Sequence, residues 1–359
     1  MSASGEKQLL GPWMTVALVV GNIVGAGIFL LPAALAPLGQ NAIYGWLVTI
    51  AGALCLAWVF ARLAAQIEGG PYAYVREAAG DLPAFMVMWS YWISIWAGIP
   101  ALAIAAVSYA STIVPALGGP VAAPVTAICS VWLLTLVNMR GARSAGAVQL
   151  VTAVLKMLPL FAVVVVAAIA LGGGGTSAEL VPIPLGPGAI ATAAALTLFA
   201  MLGLESASIV SSKVRNARQV VPKATLAGTA LVGLIYLAAT TAVLFLLSGK
   251  SAAASAAPFA DAIAPMLGGV AGTLVAAFAV ISVLGCLNGW VLCSGEVPLA
   301  LARNGIFPRW LGVTTAIGTP VRAQLISSLV ATLLIASNFS RSMTGLFSFM
   351  ILMTTAIAL

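Results

Sequence analysis

Residues 21–29 read GNIVGAGIF and lie inside an apolar run that extends from about residue 12 to residue 36. Gly25 and Gly27 have no side chains, so the main chain there can leave the helical conformation and turn its N–H groups toward a ligand. A helix that restarts after these glycines presents its positive N-terminal end, which suits a carboxylate. The stretch therefore predicts a broken helix with a ligand site at the break.

Two interpretations of this stretch compete. The carbonyl groups just before the glycines, near Asn22 and Ile23, suit an ammonium group, which favours a binding site. Gly21 and Gly25 also have the spacing of a small-xxx-small seam, at which two membrane helices pack closely. Pro32, which closes the run, and a second interrupted span further along the chain favour the binding site.

Composition places the chain in a membrane. Hydrophobic residues make up 62% of the 359 residues and charged residues 6%, and there is no histidine. A soluble domain carries roughly a quarter charged residues, so this surface must face lipid. The four cysteines lie in apolar runs, which argues against a disulfide framework or a metal site. Without a phosphate loop, an HExxH motif or paired metal ligands, we expect no cofactor and no enzymatic activity.

A bilayer core needs about 20 apolar residues for each helix. On that measure the sequence predicts an all-α polytopic membrane protein with about ten spans, and the polar N-terminus is not a signal peptide. The spans lie near residues 12–36, 42–66, 83–113, 120–138, 146–171, 188–211, 224–247, 268–298, 323–338 and 344–359. They form a single domain over residues 1–359. The last run stops at Leu359 without a polar cap, which we interpret as a truncation.

The basic residues predict the orientation of the chain, because they concentrate on the cytoplasmic side of membrane proteins. Two of the fifteen, Lys250 and Arg341, fall on one side, and Lys156 lies inside a span. The other side receives Lys7, Arg62, Arg76, Arg140, Arg143, Lys213, Arg215, Arg218, Lys223, Arg303, Arg309 and Arg322. We therefore expect a cytoplasmic N-terminus. The net charge of +7 is then a topology signal, and we expect no nucleic-acid partner.

Ten spans divide into two repeats of five, over about residues 12–171 and 188–359. Because five is odd, the second repeat is inverted relative to the first, and spans 1 and 6 occupy equivalent places. Span 6 is also interrupted, by Gly203 beside an acid in the stretch FAMLGLES at residues 199–206. Paired interruptions in corresponding spans indicate a binding site near the membrane midplane.

Two charged residues lie inside predicted spans. The carboxylate of Glu205 costs about 2.5–3.5 kcal/mol on insertion scales, so it indicates a pathway, a gate or a proton carrier. The alternative is a structural acid that accepts hydrogen bonds from unwound backbone. Lys156 lies about ten residues, roughly 15 Å, into the fifth span. It is either a fixed or titrating cation at a place where a related transporter holds sodium, or a lysine whose stem reaches the membrane surface.

Aromatic residues accompany these charges. Tyr91, Trp92 and Trp96 lie in span 3, and Trp290 follows the small and polar residues GCLNG in span 8. A tryptophan face beside a cavity can stack on a cationic or aromatic substrate group. The alternative is that these rings serve packing or an interfacial aromatic belt.

These residues resemble the amino acid–polyamine–organocation superfamily, and most of all its bacterial arginine–agmatine exchangers and related basic amino acid–polyamine antiporters. The matching stretches extend over nearly the whole chain. They are GNIVGAGIFLLPA (21–33), AIYGWLVTIAGAL (42–54), GGPYAYVREAAG (69–80), YWISIWAG (91–98), GLESAS (203–208), residues 216–222 with 224–225, GCLNGW (285–290) and NGIFP (304–308).

The resemblance implies the five-plus-five inverted-repeat transporter fold, with alternating access around broken helices 1 and 6. It also implies the roles of site residues. The N–H groups of Ala26 and Gly27, beside Gly25, would bind a carboxylate, and the carbonyls of Ile23, Phe199 and Leu202 an ammonium. Phe199 matches an aromatic that closes over the substrate from outside, Tyr91 and Glu205 match an inner barrier, and Trp290 matches the ring that stacks on the substrate side chain.

The chain departs from the arginine exchangers at several positions. Ala26 replaces a serine and Ile99 an asparagine, and both changes weaken the case for arginine as substrate. Lys156 matches a lysine of proton-coupled or sodium-independent members. Two further helices of the family are missing, and with them a contact that could serve a homodimer.

We therefore expect a sodium-independent permease of the bacterial inner membrane that exchanges an amino acid for another amino acid or for its decarboxylated amine. The alternatives are a proton-coupled symporter and a truncated membrane protein that binds substrate without transport. A channel would need a filter of repeated polar residues, which the sequence does not contain.

Overall fold

The computed structural model describes residues 9–25, 27–173, 180–255 and 258–337, with every side chain except those of Leu30 and Phe199. This part of the chain is helical, which agrees with the predicted all-α class, and its one β contact is an isolated bridge between Leu10 and Val214. The α-helices are α1 (Pro12–Ile23), α2 (Gly27–Leu35), α3 (Asn41–Gln66), α4 (Pro71–Ala79), α5 (Asp81–Ile113), α6 (Ala122–Met139), α7 (Ala142–Gly172), α8 (Pro187–Ala200), α9 (Ser206–Ile209), α10 (Ala217–Leu246), α11 (Gly249–Ala254), α12 (Pro258–Leu267), α13 (Gly269–Arg303) and α14 (Val321–Ser337).

Six of these helices, α3, α5, α6, α7, α10 and α13, are long and apolar enough to cross a membrane. They coincide with six of the predicted spans. Shorter apolar helices are α1, α14 and residues 187–198 of α8. The predicted span at 344–359 lies outside the described residues, so the count of about ten stays a prediction. The short helices α4, α11 and α12 occupy stretches that the sequence left between spans.

Helix α3 illustrates how the spans pack. Gly45, Thr49, Ala53 and Ala57 recur every fourth residue along the helix and are all buried. Several large residues of the helix point outward, among them Trp58 with 57% of its surface exposed, whereas Trp46 is buried. Lipid is as apolar as leucine, so helices associate in a membrane by close contact between small residues rather than by burying large ones.

The spans form two groups. Helix α3 packs against α8 and α10, whereas α5, α6, α13 and α14 pack against one another. Helix α1 contacts α10 of the first group and α13 of the second, and it also contacts α7. The end of α1 therefore lies between the two groups, near the centre of the molecule.

Two predicted spans are each divided in the structure. Span 12–36 consists of α1, which ends at Ile23, and α2, which begins at Gly27. Span 188–211 consists of α8 and the one-turn helix α9, with a turn at residues 201–205 between them. Gly203 in that turn has φ +109°, and a Cβ there would lie 2.9 Å from the carbonyl carbon of Asn22. Glycine is therefore required both for the backbone conformation and for the close approach of the two divided spans.

Alanine substitutions at two glycines of α3 test the close packing of α3 against α8. A Cβ on Gly45 would lie 2.3 Å from the Cβ of Ala193 in α8, whereas a Cβ on Gly52 would meet nothing within 4 Å. We expect Gly45→Ala to lower the free energy of unfolding by about 1–3 kcal/mol through overpacking. Gly52→Ala should preserve or raise it by up to about 1 kcal/mol, because alanine favours the helix. Thermal unfolding in detergent measures both, and equal loss in the two variants would contradict the packing.

Candidate functional site

A cavity of about 340 Å³ lies where the two divided spans meet α3, α5 and α13. Its size falls within the range of small-molecule sites, about 300–1,000 Å³. The described residues that line it are Asn22, Ile23, Gly25, Gly27, Ile28, Leu56, Phe60, Tyr91, Ser94, Ile95, Gly98, Ala101, Leu102, Ala200, Leu202, Leu204, Glu205, Cys286 and Trp290. Most of the wall is apolar, and Glu205 is the one charged residue in this lining.

The cavity brings together most of the residues that the sequence singled out. Seven of them line it, namely Ile23, Gly25, Gly27, Tyr91, Leu202, Glu205 and Trp290. Ala26 lies outside the described residues, as does the side chain of Phe199, whose backbone belongs to α8. Lys156 is not part of the described lining but lies behind the break in span 1. Ile99, the departure noted from the arginine exchangers, is fully buried and also lies outside this lining.

Lys156 holds the end of α1. Its side chain is fully buried, so it does not reach the membrane surface. The ammonium Nζ donates to the carbonyl of Gly21 at 2.8 Å and to that of Val24 at 2.8 Å. A helix end leaves its last carbonyls without intrahelical partners, and inside a membrane no water replaces them. The lysine therefore supplies donors that the broken helix needs.

Two further side chains also donate hydrogen bonds to carbonyls at the end of α1. The hydroxyl of Tyr236 in α10 donates to the carbonyl of Ile23 at 3.0 Å. The thiol of Cys286 in α13 donates to the carbonyl of Asn22 at 3.2 Å. Each of these oxygens has a second lone pair, so a ligand ammonium can still bind to it. Sequence reasoning missed both side chains, although a tyrosine inside an apolar span is the kind of signal that marks a buried polar contact.

Glu205 accepts a hydrogen bond from the backbone of the turn, as a structural acid would, and it also lines the cavity. One carboxylate oxygen, Oε2, accepts a hydrogen bond from the main-chain N–H of Gly203 at 3.1 Å, which holds the turn between α8 and α9. The other, Oε1, accepts the hydroxyl of Tyr91 at 2.5 Å. The ring of Tyr91 lies 6.4 Å from that of Trp290, between centroids. An acid, a phenol and an indole from three elements thus form one continuous part of the wall.

A chain of buried amides reaches the break from the opposite direction. Asn138 donates to Asn288 at 3.0 Å, Asn288 to Gln149 at 3.2 Å, and Gln149 to Asn22 at 3.3 Å. All four side chains are at most 2% exposed. A Cβ on Gly289 would lie 1.7 Å from Oδ1 of Asn22, so glycine makes room for the chain. These amides connect α6, α13 and α7 to the end of α1, and the sequence analysis did not identify them.

A buried ion pair lies outside the cavity. Lys213 and Glu296 face each other at 3.9 Å, with 2% and 3% of their side chains exposed. The ammonium of Lys213 also donates to the carbonyl of Gly318 at 2.5 Å. Its main-chain carbonyl accepts the N–H groups of Leu9 and Leu10. The sequence treated Lys213 only as a loop charge that reports topology, but the structure buries it as a link between the start of α1, α13 and the loop before α14.

Comparisons with known proteins find relatives of this chain. The family model described as "Amino acid permease" matches residues 10–359. The cadaverine/lysine antiporter of Escherichia coli (strain K12) is 35% identical over 334 residues, which are 92% of this chain and 74% of the relative. The putrescine transporter PotE of the same organism is 30% identical over 357 residues, 97% of this chain and 80% of the relative.

A solved structure is similar in fold. The crystal structure of MhsT in complex with L-phenylalanine superimposes with a TM-score of 0.72 at 14% identity, over 99% of this chain and 88% of that chain. The similarity confirms the all-helical, inverted-repeat transporter fold that the sequence predicted.

Tyrosine-to-phenylalanine substitutions test whether the carbonyl of Ile23, at the end of α1, needs its hydrogen bond from Tyr236. Tyr236→Phe removes only the hydroxyl and leaves the buried carbonyl of Ile23 without this donor, so we expect a loss of about 1–3 kcal/mol in the free energy of unfolding. Tyr44→Phe is the control, because Tyr44 is 44% exposed on α3 and should change stability by less than about 0.5 kcal/mol. Denaturant unfolding of the two purified variants measures the difference. Equal stability would mean that the carbonyl of Ile23 does not depend on Tyr236.

Proposed function

This chain belongs to the amino acid permease family, and we propose that it exchanges an amino acid for another amino acid or for its decarboxylated amine across a bacterial inner membrane. One observation carries the proposal. The cavity lies at the meeting point of two divided spans, where exposed main chain and a single carboxylate face the same space. Main-chain groups recognise the part that all amino acids share, and the carboxylate selects among side chains.

The amino and carboxylate groups of the substrate bind to the breaks. The N–H groups of Ala26 and of Gly27, the first residue of α2, receive the carboxylate, because a helix N-terminus favours negative charge. The carbonyls of Ile23, Phe199 and Leu202 receive the ammonium. The first of these already accepts the hydroxyl of Tyr236, which leaves one lone pair for the ligand.

The side chain of the substrate extends along the apolar wall toward the acid. Ile95, Ala101 and Leu102 offer contact to methylene groups. Glu205 and the face of Trp290 offer an ion pair and a cation–π contact to a terminal ammonium. A basic amino acid with an aliphatic chain, or the diamine that remains after its decarboxylation, fits this order of groups. The relatives are named for cadaverine, lysine and putrescine, which have this chemistry.

Transport follows from alternating access around the cavity. In this proposal α1 with α2 and α8 with α9 are the two halves of discontinuous spans 1 and 6 among about ten spans. The group of α3, α8 and α10 rocks against the group of α5, α6, α13 and α14. The excess of lysine and arginine on one side places the N-terminus in the cytoplasm.

Exchange in reconstituted vesicles tests this function. We expect uptake of labelled lysine to be several-fold faster into vesicles loaded with cadaverine than into empty ones. Glu205→Gln should slow this exchange by about 10- to 100-fold, the cost of a lost charge-assisted bond. Glu77→Gln removes an exposed acid on α4 and should leave the rate unchanged. Equal uptake into loaded and empty vesicles would contradict exchange and favour proton-coupled symport.

The position of Lys156 leads us to expect that the exchange rate does not depend on sodium. Its ammonium occupies the carbonyls of Gly21 and Val24, the oxygen ligands that a sodium ion at the break would need. Replacing sodium by potassium in the vesicle assay should therefore leave the exchange rate unchanged. Lys156→Met should abolish exchange by releasing the end of α1, whereas Lys223→Met, at an exposed position of α10, should not. Stimulation of the unmodified protein by sodium would discard this role of Lys156.

A further inference from the structure

A second cavity, of about 350 Å³, lies at the beginning of α1, remote from the break at its other end. The described residues that line it are Leu9, Gly11, Pro12, Trp13, Met14, Arg143, Leu150 and Arg215. They belong to three parts of the chain, namely the entry to α1, the first turns of α7, and the segment between α9 and α10. None of them takes part in the transport site described above.

The basic end of this cavity has no counter-charge within the described chain. Arg143 and Arg215 are both exposed, and neither guanidinium has a hydrogen-bond or ion-pair partner among residues 9–25, 27–173, 180–255 and 258–337. Two other arginines of the surface behave differently: Arg76 pairs with Asp81 at 2.6 Å and Arg218 with Glu68 at 3.0 Å. Two unpaired guanidiniums that face one cavity favour an anion, and their planar fork matches the oxygens of a phosphate.

The other end of the cavity is apolar. Leu150 lies seven residues after Arg143 on the same face of α7, about 10 Å further along the helix axis. Trp13, in the first turn of α1, has 77% of its surface exposed. A tryptophan at the end of an apolar helix is typical of the headgroup level of a membrane. The cavity therefore passes from charge to hydrocarbon over the length of a lipid headgroup and the first part of its acyl chain.

The three parts of the chain are also joined directly beside the cavity. A Cβ on Gly146 of α7 would lie 2.7 Å from Leu10, so the entry to α1 packs closely on α7. The main-chain N–H of Arg215 donates to the carbonyl of Leu10 at 2.9 Å. A ligand in this cavity therefore contacts the first half of the divided span and the two segments against which it rests.

We propose that an anionic phospholipid binds here, with its headgroup phosphate between Arg143 and Arg215 and an acyl chain along Trp13 and Leu150. The bound lipid stabilises the packing of α1 on α7. Each basic residue close to an anionic headgroup contributes about fivefold to the affinity, so the two arginines together contribute about 25-fold.

Lipid titration of the purified protein tests this site. Phosphatidylglycerol or phosphatidylcholine is added to the detergent-solubilised full chain without substrate, thermal stability is recorded, and bound lipid is counted by native mass spectrometry. Phosphatidylglycerol should raise the melting temperature of the unmodified protein, and Arg143→Gln/Arg215→Gln should require about 25-fold more of it. Lys223→Gln/Arg309→Gln removes the same charge from exposed positions elsewhere and should respond like the unmodified protein.

Several outcomes would overturn the proposal. One is that Arg143→Gln/Arg215→Gln responds to phosphatidylglycerol as strongly as the unmodified protein does. Another is that phosphatidylcholine stabilises the unmodified protein as strongly as phosphatidylglycerol does. A third is stabilisation by inorganic phosphate alone, which would assign the cavity to a soluble anion. A further such outcome is that phosphatidylglycerol stabilises the protein only after residues 2–8 are deleted, and only when Arg143 and Arg215 are present. That result would assign the cavity to residues 2–8. Trp13→Glu provides a second variant at an exposed position, and it should weaken lipid binding by repelling the phosphate. Because the readout is lipid binding, its failure is distinguishable from failure of the transport assay.

Discussion

The main-chain carbonyls at the end of α1 set the constraint on which the rest of this structure depends. A helix that stops inside a membrane leaves these oxygens without partners, and no water is available to replace them. Lys156, Tyr236 and Cys286 provide the missing donors from α7, α10 and α13. The break is thus held by three separate helices, and any state that keeps it must also keep these contacts or exchange them for others.

The proposed transport site is a consequence of that arrangement. Side chains already donate to the carbonyls at the end of α1. The second lone pairs of these oxygens, and the N–H groups at the break, are therefore available to a ligand without further unwinding of the helix. Gly203 allows the second divided span to approach within contact of Asn22, so both breaks open on one cavity. In the proposed function, this site recognises what all amino acids share, and the carboxylate of Glu205 beside Tyr91 and Trp290 distinguishes their side chains.

Charged residues are scarce in this protein. Those within the described membrane region stabilise the structure, in addition to any role in transport. Lys156 closes the end of α1, and Glu205 accepts the N–H of Gly203. Lys213 faces Glu296 where the start of α1 meets α13. A buried charge is expensive in hydrocarbon, so it persists where it satisfies several groups at once. Arg143 and Arg215 differ from these charges, because neither guanidinium has a partner among the described residues and both line one cavity beside Trp13.

The sequence by itself determined the membrane class, the position of six long spans, the family and seven of the nineteen described residues that line the cavity. These follow from local properties: runs of about 20 apolar residues partition into lipid, and glycines at 25, 27 and 203 weaken a helix wherever they occur. The tertiary structure alone decided the partners. Tyr236 and Ile23 are 213 positions apart, Gln149 and Asn22 are 127 apart, and neither pair has a spacing or composition that marks it. Lys213 was assigned to the surface from its place in a loop, because burial depends on which helices pack over it, and that is a property of the assembled fold.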